Sequence, residues 1–86
     1  MFEKKLVVNN QTGLHARPAS ELAALCQKFS SDITMQSGSM EINPKSVISI
    51  LAGGVCQGTI INLRVEGSDE EEAGERITEF MMNLSD

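Results

Sequence analysis

The sequence predicts an α+β fold, an open-faced β-sandwich of four antiparallel strands covered on one face by three helices in the order β-α-β-β-α-β-α. Three observations predict it. Apolar spacing switches between two and about 3.6 residues along the whole chain, without a repeat or a linker. Each helical segment has a single apolar face, which needs a sheet to cover it. The length of 86 residues allows one small domain, 1–86, with no room for a second.

Leu6 and Val8 alternate around Val7 and run into the loop residues Asn9, Asn10 and Gln11, a strand followed by a loop. Ala19, Leu22, Ala23, Cys26 and Phe29 then share one face of a helix of about three turns, with Pro18 suited to its first turn because a proline lacks the N–H that would be orphaned there. The helix begins just after His15. Ile33 and Met35, then Met40 and Ile42, alternate with polar neighbours on either side of Ser37-Gly38-Ser39, which predicts a hairpin. Ser46 is a good N-cap for a short helix over Val47, Ile48, Ile50 and Leu51 that stops at Gly53-Gly54. Ile61, Leu63 and Val65 form the clearest strand, closed by Gly67. Ser68 with Glu71 reads as a capping box, and Ala73, Ile77, Phe80, Met81 and Leu84 trace the last helical face.

Composition removes several classes of function. A net charge of −5, no Trp or Tyr, and only Phe2, Phe29 and Phe80 as aromatics leave neither the phosphate-neutralising patch nor the stacking platform of a nucleic-acid binder. Leu6-Val7-Val8 is too short for a signal-peptide core or a membrane span. Cys26 and Cys56 are far apart and His15 is the only histidine, so no metal site is spelled out, and both thiols read as reduced core-filling residues. Gly53, Gly54 and Gly58 lack the lysine of a phosphate-cradling loop and read as a turn. The charge is unevenly spread. Residues 1–65 carry six basic and four acidic side chains, whereas 66–86 carry one basic and eight acidic. The acidity therefore belongs to the last helix, and the half containing His15, Arg17, Lys45 and Ser46 is slightly basic.

The stretch Gly13-Leu14-His15-Ala16-Arg17-Pro18-Ala19 places the single histidine where a loop becomes a helix. Unpaired backbone N–H groups and the positive end of the macrodipole favour an anion at such a point. A guanidinium about 4 Å from a phosphoryl group contributes ~4 kcal/mol per unit charge at an effective dielectric of 20, before solvent screening. An exposed helix dipole contributes only ~0.3–1 kcal/mol, so Arg17 ranks directly after His15. Imidazole, with an unperturbed pKa of about 6.5, is largely neutral and nucleophilic near pH 7. Its N–P bond is labile enough to pass a phosphoryl group onward.

These residues, with Pro44-Lys45-Ser46 and the pair Gly53-Gly54, resemble HPr, the histidine phosphocarrier family of the bacterial sugar phosphotransferase system, in an ungapped register over essentially the whole chain. The resemblance implies a cytoplasmic, monomeric carrier with no cofactor, consumed and regenerated by other proteins rather than turning over as an enzyme. Nδ1 of His15 would accept a phosphoryl group from enzyme I, charged by phosphoenolpyruvate, and pass it to enzyme IIA domains of sugar permeases. Arg17 would assist, and the backbone N–H groups of Ala16 and Arg17 would face the phosphate. The family's regulatory serine, a target of an ATP-dependent HPr kinase/phosphorylase, falls on Ser46; a plain N-cap role stands beside that reading. Val47, Ile48 and Leu51, with Val55, are expected to form an exposed apolar docking patch while Ile50 packs inward. Pro44 and Ser49 depart from the family's pattern and weaken the case for kinase recognition. The alternative function is an HPr-like signalling module with little sugar flux, for example in a nitrogen-regulatory branch.

Overall fold

Alternate burial along the strands decides which face of the sheet is covered. The structure, a computed structural model, describes residues 1–84. Its strands are β1 (Phe2–Val7), β2 (Asp32–Ser37), β3 (Met40–Ile42) and β4 (Ile60–Glu66), hydrogen-bonded in the order β1-β4-β2-β3 with every pair antiparallel. Leu6, Ile61, Leu63, Val65, Ile33, Met35 and Ile42 are buried on one face. The other face remains open and carries the Glu3–Arg64 ion pair at 3.1 Å and the half-exposed cross-strand pair Val7 and Ile60. β1 and β2 run parallel on either side of β4, so the chain between them must cross over the covered face as a helix.

The helices are α1 (Ala16–Cys26), α2 (Val47–Ala52) and α3 (Glu70–Met82). Leu22 and Cys26 of α1, Ile50 of α2 and Ile77 of α3 are completely buried and join the strand residues in one core. Full burial of each large aliphatic side chain contributes ~1.5–3 kcal/mol, so this single face supplies most of the apolar stabilisation of a small chain. Cys26 shares that environment, and desolvation pushes its thiol up to about 12, as an inert packing group should be.

Five expectations need correction. Val47 is half-buried against the core rather than outward-facing, because it shares a helical face with Ile50 three residues on; Ile48, at 81% exposure, and Leu51, at 44%, form the outer face. Val55 is buried and belongs to the core, since the chain turns inward after Gly54. Cys56 is exposed, being the next residue along an extended stretch that has already turned Val55 inward. Ser68 does not cap α3. Asp69 holds the N-cap position, and the reciprocal contact runs from the Gly67 N–H to Glu70 Oε1 at 3.1 Å. Phe29 also lies beyond the end of α1, reaching the core from a turn whose N–H bonds the Cys26 carbonyl at 3.2 Å.

The Asp69 side chain is free of capping because it bridges to the β2 entrance. Its carboxylate accepts from the Ser30 N–H at 2.9 Å, the Ser31 N–H at 3.0 Å and the Ser31 hydroxyl. The Ser31 hydroxyl and then the Ser30 amide hold this carboxyl below its ordinary value. A carboxyl depressed in the folded state stabilises the fold above its unfolded pKa of about 3.9, and that contribution disappears as pH falls through the lower folded value. We therefore expect Asp69→Asn to melt at lower temperature than wild type at pH 7, with the difference closing as the pH is taken below about 4. Melting curves across that range decide it; a constant difference at every pH would rule out the carboxylate as the source.

Candidate functional site

His15 is the N-cap of α1, with extended backbone at φ −88° and ψ −169° and an exposed side chain that makes no capping hydrogen bond. Its carbonyl accepts the first helical bond, from the Ala19 N–H at 2.8 Å. The N–H groups of Ala16 and Arg17 precede that bond and have no partner within the helix, while Pro18 has no N–H to orphan. The imidazole therefore stands beside two outward-facing donors at the positive end of an 11-residue helix. Pro18 is itself buried, which anchors this first turn to the body of the protein.

The loop that delivers His15 is held rigidly from below. The Asn10 side-chain amide donates to the Gly13 carbonyl at 2.9 Å, and the Leu14 N–H donates to the Val55 carbonyl at 3.1 Å. Leu14 inserts into the core with 4% exposure, so the residue before His15 acts as an anchor. Gly13 has φ +62°, and a Cβ there would lie 2.3 Å from the Val55 carbonyl oxygen and 2.6 Å from the Cys56 Cα. Only glycine permits that approach. The 55–59 segment is in turn tied to the end of β1 through Gly58 N–H to Val8 carbonyl at 2.7 Å and Val8 N–H to Thr59 carbonyl at 3.0 Å.

His15, Arg17 and Pro18 lie on the rim of one groove of about 480 Å³ between the start of α1 and the end of α3. Arg17 is 84% exposed and pairs with Glu21 one turn along at 3.7 Å. Ser46 is not part of this groove. It caps α2, accepting from the Ser49 N–H at 3.2 Å, and the preceding Lys45 carbonyl is bonded by Gln27 Nε2 at 2.8 Å at the far end of α1. Eleven helical residues at about 1.5 Å each place it roughly 16 Å along the helix from His15. Ile48 and Leu51 lie on the exposed face of α2, outside the groove. The Ser49 hydroxyl accepts from the Asn43 N–H at 2.9 Å and Pro44 is fully buried, so both departures from the family's pattern serve the turn into α2. Among the described residues, no group of three or more His, Cys, Asp or Glu is placed to hold a metal ion, and no helix is long and apolar enough to cross a membrane.

Sequence reasoning missed Asn10, Leu14 and Val55 as supports of the site. Glycine at 13 followed by an apolar residue was the available signal, but its partner segment lies more than forty positions away along the chain.

Residues 2–83 match the family described as the PTS HPr component phosphorylation site. The phosphocarrier protein HPr of Xylella fastidiosa strain 9a5c is 36% identical over 83 residues, spanning 96% of this chain and 93% of its own. HPr-C-His from Thermoanaerobacter tengcongensis superposes with a TM-score of 0.91 at 39% identity, covering 95% and 92% of the two chains. The Bacillus subtilis catabolite repression containing protein Crh, crystallised as a swapped-domain dimer, gives 0.75 at 32% identity over 95% and 94%.

The seam beneath the loop makes Gly13→Ala a severe change, since the methyl group meets backbone rather than a movable side chain. We expect a loss of ~2–4 kcal/mol in urea unfolding. Gly38→Ala, at similar φ but with open space around the position, should lose only ~1 kcal/mol. Equal losses at the two positions would show that backbone conformation alone, and not the close approach, dictates glycine at 13.

Proposed function

This chain belongs to the HPr family of phosphocarriers of the phosphotransferase system, and on that premise we propose that Nδ1 of His15 accepts a phosphoryl group from phosphorylated enzyme I and passes it to enzyme IIA domains of sugar permeases. The observation that carries this reading is the exposed His15 ring at the start of α1, beside the outward N–H groups of Ala16 and Arg17. In the transfer, the Nδ1 lone pair attacks phosphorus in line while the bond from phosphorus to the donor breaks with its electron pair. The loose transition state places charge on the three equatorial oxygens, so positioning and neutralisation do most of the work. The Ala16 and Arg17 amides orient two of those oxygens and the Arg17 guanidinium screens their charge. Passing the group onward reverses the same step. The chain is thus a carrier regenerated by its partners, not a catalyst with turnover.

Docking is assigned to Ile48 and Leu51, the outer face of α2, with Val47 supporting them from its half-buried position. A monomer is expected, because donor and acceptor must reach the same ring in turn, and the cytoplasm is the compartment where phosphoenolpyruvate is met. Ser46 is proposed as a separate regulatory phosphorylation position for an HPr kinase/phosphorylase. Its hydroxyl is partly exposed at a helix start, which tolerates added negative charge.

Incubation with phosphoenolpyruvate and enzyme I should produce one phosphoryl group per chain, acid-labile and base-stable, and none in His15→Ala. Arg17→Ala should still be modified but roughly tenfold more slowly, the size expected for one charged hydrogen bond. A wild-type chain that stays unmodified, or a His15→Ala variant that becomes modified, would overturn the assignment. Ile48→Ser should raise the KM of the phosphorylated donor severalfold without lowering the melting temperature, since the side chain stabilises nothing within the chain. An unchanged KM would remove Ile48 from the docking surface.

A further inference from the structure

The groove beside His15 contains more charge than an acceptor of a dianion needs, and the charge is already internally paired. Of its two guanidinium groups, Arg17 lies 3.7 Å from Glu21, and Arg76 is held by Glu72 at 3.8 Å and by the Phe29 ring 5.9 Å below it. Glu79 contributes a further carboxylate to the same wall. A phosphoryl group arriving on His15 thus enters a groove containing Glu21 and Glu79, and the guanidinium nearest to it in the chain is already engaged by Glu21.

We propose that Glu21 is a positioning residue that competes with the phosphoryl group for Arg17 and so keeps phosphorylated His15 in a state from which the group leaves readily. This rests on the phosphocarrier reading. In the unmodified chain the Glu21 carboxylate neutralises Arg17 and holds its side chain along α1, four residues from its own position. When His15 carries phosphate, Arg17 must leave Glu21 to reach it, so the pairing with Glu21 is lost. That loss raises the phosphorylated state relative to the free one without acting on the free ring. For a carrier that is an advantage. A phosphoryl group bound too firmly by the loop would not pass to the next protein, whereas one held against an internal competitor is released when a partner supplies its own donors. The pair is exposed, with 57% of the Glu21 side chain accessible, so the effect is a tuning of severalfold rather than a switch.

The test uses the intact chain, and its lifetime measurement needs no partner enzyme. Phosphoramidate transfers its phosphoryl group to the His15 ring as its own P–N bond breaks and ammonia departs. Subsequent hydrolysis breaks the new N–P bond, places the water oxygen on phosphorus and returns a proton to the ring. Phosphorus NMR follows the decay. Glu21→Gln should lengthen the lifetime of the phosphorylated ring about two- to fivefold, the range of an exposed ion pair, and Glu21→Asp should restore much of the wild-type rate. In an Arg17→Ala background, Glu21→Gln should have little further effect, which a merely structural role for Glu21 does not predict. Equal lifetimes in wild type and Glu21→Gln would overturn the proposal, as would a gain of the same size with and without Arg17, which would indicate direct repulsion instead of competition. A wild-type chain that phosphoramidate and enzyme I both leave unmodified would overturn the carrier reading and this proposal together. Normal charging of wild type with no effect of Glu21→Gln would remove this proposal alone.

Discussion

The working end of this protein depends on the close approach of the Gly13 backbone to the Val55–Cys56 backbone. That contact, together with the Leu14 N–H to Val55 carbonyl bond at 3.1 Å, joins the segment entering α1 to the segment leaving α2. α2 runs back along α1 as a consequence: its start is tied by Gln27 to the end of α1, and its far end reaches the loop before His15. His15 is exposed, yet the residues on both sides of it in the chain are fixed, with Leu14 in the core and the Ala19 N–H donating the first helical bond to the His15 carbonyl. For the proposed transfer, an exposed ring on an anchored backbone would meet two opposed demands, access for large partners and a defined direction of attack.

The small size of the chain explains why the site has this form. One apolar face of a four-stranded sheet, sealed by three helices, consumes the buried volume that 86 residues provide. Little volume is left for an enclosed substrate site, and the proposed chemistry falls at a helix start, where donors without partners arise from helix geometry alone. The Asp69 bridge shows the same economy. A residue at the cap position of α3 leaves its own helix end uncapped and ties it to Ser30 and Ser31 at the entrance to the neighbouring strand β2, so that one carboxylate fastens two elements distant in the chain.

Elements with strict periodicity were legible in the sequence, and so was the histidine motif. Ile61, Leu63 and Val65 can be buried together only in a strand, and Ala19, Leu22, Ala23 and Cys26 only on a helix, because each pattern fits one period. α2 was harder to read. Six residues are too few for a period to single out a face, and four of them are large and apolar, so Val47 and Ile48 looked equivalent until the positions of Ile50 and the core separated them. Val55 and Cys56 failed for a related reason. Outside regular structure, which of two neighbours turns inward is set by a long-range contact, here with Gly13, and no local pattern records it. The Asp69 bridge was hidden likewise, since an acid after a serine at a helix start looks like a local cap.

The distance between the two proposed phosphorylation positions constrains how one could influence the other. Ser46 and His15 lie at opposite ends of the α1–α2 pair, roughly 16 Å apart along the helix, whereas the Debye length at physiological ionic strength is about 8 Å. Charge on Ser46 is therefore largely screened at the His15 ring, and repulsion between two phosphates within one molecule is a weak means of control. The exposed Ile48 lies only two residues from Ser46, so a partner docking there as proposed would also meet Ser46. The regulation proposed at Ser46 would then act on the fit and charge of the proposed docking face rather than on the chemistry at the ring.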